Sequence, residues 1–124
     1  SSRATTVSAT IAELITAGLV EEAGAISTER GKPPTLVSLV KDARQVIALD
    51  LSRTIFHGSI LNLRGEFIQQ KEVPVNGLTG DAAVAAMYRL IDSLLPNISS
   101  PLLGIGIGAP GILDYNNGII QQAA

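Results

Sequence analysis

Val46-Ile47-Ala48-Leu49-Asp50-Leu51-Ser52-Arg53-Thr54 is the stretch on which the architecture turns. Its first six residues are apolar except for one carboxylate. That run is too short for a helix and suits a buried central strand. Downstream, residues 54–63 form a second strand, and residues 62–66, with Gly65, supply a hairpin turn into a third strand over 67–75. Residues 78–95 have a helical period that places Val84, Met87, Ile91, Leu94 and Leu95 on one face, and Pro96 stops the helix. Residues 102–107 give a fourth, glycine-rich strand. Pro110-Gly111 turns the chain, and residues 112–114 are extended. Asn116-Asn117-Gly118 is a hairpin signal that leads into a return strand at Ile119-Ile120. The order strand, strand, strand, helix, strand predicts an α/β fold.

Composition narrows the function classes. The chain has 124 residues, enough for one compact domain or two small pieces of domains. Apolar residues make up 46% and charged residues 16%, which excludes a disordered tail and a polycation. The net charge is −2, so an acidic partner must be met by local patches. Residues 1–44 carry five basic and five acidic side chains, with the basic ones bunched, and residues 45–124 carry four and six. The absence of cysteine excludes disulfides and thiolate metal sites. A single histidine, His57, excludes an imidazole-rich centre and reads as a hairpin surface residue. With 3% aromatics and no Trp, a base-stacking platform is not expected. No apolar run approaches the ~18 residues of a membrane span, and no signal peptide opens the chain. The expectation is a cytoplasmic protein with no membrane partner. The chain opens at Ser1-Ser2-Arg3 without a Met and closes just after a strand-like run, so it is expected to be a fragment of a longer protein.

Upstream of the central strand, residues 3–17 are periodic. Ala4, Val7, Ile11, Leu14 and Ile15 share one face, and Thr5, Thr6, Ala9, Ala12, Glu13 and Thr16 lie opposite. Ser1 or Ser2 can cap the start, and Gly18 suits the left-handed closing position. Leu19-Val20 leaves in extended form, residues 23–34 are polar, and Thr35-Leu36-Val37-Ser38-Leu39 alternates as a strand. Strand, loop and strand behind a capped helix are the layout of a winged helix. The short hydroxyl-bearing face permits close approach to the major groove. Arg30-Gly31-Lys32-Pro33 offers a thin backbone with two cations, suited to a narrow A·T-rich minor groove. A surface helix followed by a solvated hairpin loop fits the same residues.

The order of segments resembles one family. Thr6-Val7-Ser8, Ile11, Glu13-Leu14, Gly18-Leu19-Val20 and Gly31-Lys32-Pro33-Pro34-Thr35-Leu36 are similar to the second half of the winged helix-turn-helix of ROK-family (repressor, open reading frame, kinase) transcriptional regulators. Asp50-Leu51-Ser52-Arg53-Thr54 resembles the family's Asp-x-Gly-Gly-Thr phosphate hairpin. Leu103-Gly104-Ile105-Gly106-Ile107-Gly108-Ala109-Pro110-Gly111 resembles the strand and turn that floor its sugar cleft. The resemblance implies a partial winged helix over residues 1–39, a linker over 40–45, and the start of an actin-like (ribonuclease H-like) ATPase/sugar-kinase fold over 46–124. It implies that Arg3, Thr5, Thr6 and Ser8 face DNA, with Arg30 and Lys32 in the wing and Gly108, Pro110 and Gly111 on the cleft floor. It also implies that Asp50, Ser52, Arg53 and Thr54 form a degenerate phosphate hairpin. Ser52 and Arg53 stand where the kinases carry glycines, and a side chain there crowds a phosphate. The implied protein is not an enzyme. It has no catalytic residue in this chain, no metal and no cofactor, the family's base aspartate lying beyond Ala124 rather than at Asp114. It is a repressor of sugar metabolism whose partners are operator DNA and a sugar or sugar-phosphate effector, assembled as a homodimer or dimer of dimers. The rival implication is a ROK sugar kinase. The glycines of residues 104–108 are not a dinucleotide fingerprint, which needs its third glycine at a helix start.

Overall fold

The computed structural model describes residues 3–25, 35–110, 112–114 and 119–121. The first unit is α1 (Arg3–Thr16) followed by the strands β1 (Val20–Ala25) and β2 (Thr35–Leu39). α1 ends in a Schellman motif. The Leu19 N–H reaches the Leu14 carbonyl (3.0 Å) and the Gly18 N–H reaches Ile15 (2.9 Å), with Gly18 at φ +76°. A Cβ on Gly18 would meet nothing within 4 Å, so only backbone strain opposes a side chain there. Gly18→Ala is expected to cost about 1–2 kcal/mol in thermal or urea unfolding, the penalty of a left-handed alanine. β1 and β2 pair antiparallel, Val20 opposite Leu39, with a bulge between Glu22 and Gly24 where Gly24 takes φ +108°.

The second unit is a four-stranded sheet in the order β5-β4-β3-β6, built from β3 (Gln45–Leu51), β4 (Ile55–Asn62), β5 (Phe67–Pro74) and β6 (Leu102–Gly108). β3, β4 and β5 form an antiparallel meander, and β6 returns parallel to β3 after α2 (Gly80–Leu94) and a 3-10 turn (Leu95–Asn97). β3 is therefore central, as expected. Burial alternates along it: Gln45, Ile47 and Leu49 are buried while Ala48 and Asp50 are exposed. Two short strands, β7 (Ile112–Asp114) and β8 (Ile119–Gln121), pair antiparallel. The turn signal at Asn116-Asn117-Gly118 lies outside the described residues.

The core lies between α2 and one face of this sheet. Ile47, Leu49, Phe56 and Ile60 meet Ala86, Leu90 and Leu94. Here the helical face shares Met87, Ile91 and Leu94 with the one expected but is rotated away from Val84 and Leu95. Ala86, Leu90 and Leu94 are buried, with Ala83, Met87 and Ile91 packed alongside, while Val84 and Leu95 are exposed at 47% and 42%. The cause is Gly58 on β4. It leaves a gap into which Leu90 and Leu94 descend, so the helix turns these leucines inward and an alanine suffices beside them. Gln45, 1% exposed, ties the start of β3 to the segment before β6. Its Oε1 accepts from the Ser99 N–H (2.8 Å) and the Ser100 N–H (3.2 Å), and its Nε2 donates to Ser99 Oγ (3.2 Å).

Candidate nucleic-acid interface and cleft hairpin

On α1, Arg3, Thr5, Thr6 and Ser8 are all exposed. The helix does not put them on one face. Ser8 lines a groove of about 490 Å³ with Val7, Ile11 and Ile15 on one side and Thr35 and Val37 of β2 on the other. Thr6 sits about 160° around the axis from Ser8, beside the phase of Ala9 and Glu13. Thr10 Oγ1 donates to Thr6 O (3.0 Å) and Thr16 Oγ1 to Ala12 O (2.9 Å), back onto the helix's own backbone. The outer face carries Thr5, Thr6 and Ala9 with one carboxylate, Glu13. That is a surface able to approach a groove closely, and Glu13 is able to accept from a cytosine amino group but not to bind phosphate. Arg30 and Lys32 lie outside the described residues.

The turn between β3 and β4 is closed by Ser52. Its N–H donates to the Ile55 carbonyl (3.1 Å), its hydroxyl donates to the same carbonyl (2.6 Å), and the Ile55 N–H donates back to the hydroxyl (3.1 Å). The turn is also stitched to the segment before α2. Thr54 O accepts from the Val75 N–H (2.9 Å) and Arg53 O from the Gly77 N–H (2.7 Å). Among the described non-glycine residues only Asn76 has a positive φ, so Ser52 and Arg53 sit here without backbone strain. Ser52 and Arg53 line a cleft of about 480 Å³ with Phe56, Leu78, Thr79 at the start of α2, and Pro110.

Asp50 is elsewhere. It is exposed on the sheet face away from α2, where it lines a groove of about 490 Å³ with Ala48, His57, Ser59, Gln70 and Glu72. His57 pairs across with Asp50 in register, and its Nδ1 lies 3.7 Å from Glu72 Oε1. His57 is therefore a strand residue between two carboxylates. The structure brings Ser52, Arg53 and Pro110 together, separates Asp50 from them, and leaves Thr54 exposed on the turn. Gly108 pairs with Asp50, and a Cβ there would lie 3.8 Å from the Leu49 carbonyl, an ordinary contact. Gly111 lies outside the described residues. Among the described residues no three His, Asp or Glu side chains are placed to hold a metal ion, and no helix is long and apolar enough to cross a membrane.

Sequence reasoning missed Arg64 and Gly58. Arg64 stands in the turn between β4 and β5, and its guanidinium holds the β1–β2 hairpin. An arginine beside a turn glycine has no pattern that reveals its partner. Gly58 could have been suspected, since glycine inside an apolar strand often marks close approach.

Comparison with known proteins adds the following. No family model matches the chain. It is 31% identical over 122 residues to the xylose repressor of Caldicellulosiruptor bescii, across 95% of this chain and 31% of the relative. The xylose repressor of Bacillus subtilis is 25% identical over 119 residues, across 93% and 31%. A glucokinase of Halalkalibacterium halodurans is 30% identical over 86 residues, across 64% of this chain and 26% of the enzyme. Among solved structures, a ROK family transcriptional regulator, a homologue of the Escherichia coli MLC protein, superposes with a TM-score of 0.67 at 19% identity, across 96% of this chain and 31% of that one. The chain spans about a third of the length of these regulators.

Proposed function

We propose a sugar-responsive repressor, on the premise that this chain belongs to the ROK family. One observation carries the choice of regulator over kinase. The repressor likeness extends over 95% of the chain, which cannot be reached without α1 and its hairpin, whereas the glucokinase likeness extends over 64%. Residues 1–39 belong to a winged helix that docks α1 in the major groove. Thr5 and Thr6 meet phosphates and base edges, Arg3 neutralises phosphate, and Arg30 and Lys32 lie in the wing along the minor groove, while Ser8 stands on the side of α1 toward β2. Residues 46–124 belong to an actin-like sugar-binding domain joined through residues 40–45, with Gly108, Pro110 and Gly111 on the cleft floor. The effector is a sugar or sugar phosphate; the names of the relatives make D-xylose the first to test. It acts by binding one arrangement of the domains better than the other, in a cytoplasmic homodimer or dimer of dimers.

The hairpin supports a protein that does no phosphoryl transfer. In a phosphate loop, free backbone N–H groups face the anion. Here the Ser52 N–H and hydroxyl are both committed to Ile55, and Arg53 lines the cleft at a position where the kinases carry glycine.

The test uses the full-length protein and an operator duplex selected by it from a randomised pool. Fluorescence anisotropy is expected to give sequence-selective binding that weakens on adding D-xylose or another sugar from a small panel. ATP-dependent sugar phosphorylation above background, or an absence of selective DNA binding, would overturn the reading. Replacing Arg30 and Lys32 together by Ala is expected to cost about tenfold in operator affinity and to flatten the slope of log K against log salt by about 2, one unit for each lost phosphate contact.

A further inference from the structure

The two units meet at the turn between β4 and β5, and this contact carries an inference that rests on the regulator reading. The turn is fixed from within. Asn62, 6% exposed, accepts through Oδ1 from the Arg64 N–H (2.9 Å) and the Glu66 N–H (3.1 Å), and its Nδ2 donates to Glu66 Oε1 (2.9 Å). From this frame Arg64 reaches back over the hairpin. Its Nε (3.1 Å) and Nη2 (2.9 Å) both donate to the Leu39 carbonyl, Nη2 also reaches Ser38 Oγ (3.3 Å), and Glu21 Oε1 lies 3.8 Å away. One guanidinium therefore touches β1 through Glu21 and β2 through Ser38 and Leu39. Beside it the Leu63 N–H donates to Lys41 O (3.0 Å), and the Val40 N–H donates to Leu19 O (2.8 Å) just past the end of α1. The connection between the units is thus hydrogen-bonded at several points.

The Arg64–Glu21 pair is exposed on both sides and contributes little to stability. What a planar, multiply bonded guanidinium supplies is orientation. Arg64 lines neither the groove beside α1 nor the cleft beside Ser52. It stands on a turn that Asn62 ties to the end of β4 and that joins β4 directly to its partner β5.

We propose that Arg64 is a positioning residue that couples the sugar-binding sheet to the winged hairpin: movement of the β4–β5 turn on effector binding is delivered to β1, β2 and α1 through its guanidinium. The coupling is the ratio of operator affinities without and with sugar. Arg64→Ala in the full-length protein is expected to leave operator affinity and sugar affinity near wild type and to shrink that ratio by about tenfold, toward 1. Arg64→Lys, which keeps one charge but not the fork, is expected to fall between, and thermal unfolding checks that both variants are folded. The probes are the selected operator duplex by anisotropy and D-xylose, or whichever panel sugar acts on wild type, by calorimetry. An Arg64→Ala protein that keeps the wild-type ratio overturns the proposal and leaves the regulator reading intact. So does one whose operator affinity collapses without sugar, because Arg64 would then support the DNA-binding surface rather than transmit a signal to it. A wild-type protein with no sugar effect overturns both.

Discussion

Leu90→Ala is expected to lower stability by about 3–4 kcal/mol, the range for removing a fully enclosed leucine side chain from a core that relaxes only in part. Leu90 is 1% exposed and stands in the C-terminal half of α2, over Gly58 and among Ile47, Phe56 and Ile60. Ala86 is too short to fill the gap, and Leu94 is already held against the same glycine. Urea unfolding followed by circular dichroism measures the loss. Val84→Ala on the same helix is the control and is expected to change stability by no more than about 0.5 kcal/mol, as exposed substitutions do. Equal losses at the two positions would mean that α2 presents a different face to the sheet.

Gly58→Val is expected to cost about 3 kcal/mol and Gly58→Ala about 2 kcal/mol, from crowding in an already filled core. A Cβ at this position would lie 2.8 Å from Leu94 Cδ1 and 3.0 Å from both Cδ1 and Cγ of Leu90. A methyl terminus can swing aside, but Leu90 Cγ can move only if the helix moves. Gly104→Ala on β6, where a Cβ meets nothing within 4 Å, is the matched control and is expected to be nearly neutral. The two predictions are coupled. Leu90→Ala removes the atoms that Gly58→Ala collides with, so the double variant should be more stable than the sum of the two losses by about 1–2 kcal/mol. Strict additivity would show that the strand and the helix do not touch at this point.

The same contact shows how far the sequence could be read. The succession of strands and the helix was legible because period and turn chemistry are local: Gly18, Gly65 and Pro96 stop or turn the chain where expected. The face of α2 was legible only in part: Met87, Ile91 and Leu94 pack on the core as expected, but hydrophobicity alone favours Val84 and Leu95 over Ala86. What selects Ala86 and Leu90 is the absence of a side chain on a strand some thirty positions earlier. The candidate hairpin divides in the same way. The Asp50-x-x-x-Thr54 spacing was visible, and alternation would put Asp50 and Ser52 on one side of the sheet. β3 ends at Leu51, however, and the turn carries Ser52 into the cleft beside α2 while Asp50 stays on the opposite face with His57 and Glu72. Arg64 had no local signature, since its partners Glu21, Ser38 and Leu39 come near it only through the placement of a whole hairpin.

The parallel pairing of β6 with β3 sets the order in which the sheet assembles. β3, β4 and β5 are joined by tight turns and can zip together as soon as each leaves the ribosome. β6 has to wait for α2 and the 3-10 turn, and it closes a far longer loop when it arrives. β6 leads into Pro110 at the cleft, so the meander and the Arg64 turn stand before β6 joins them.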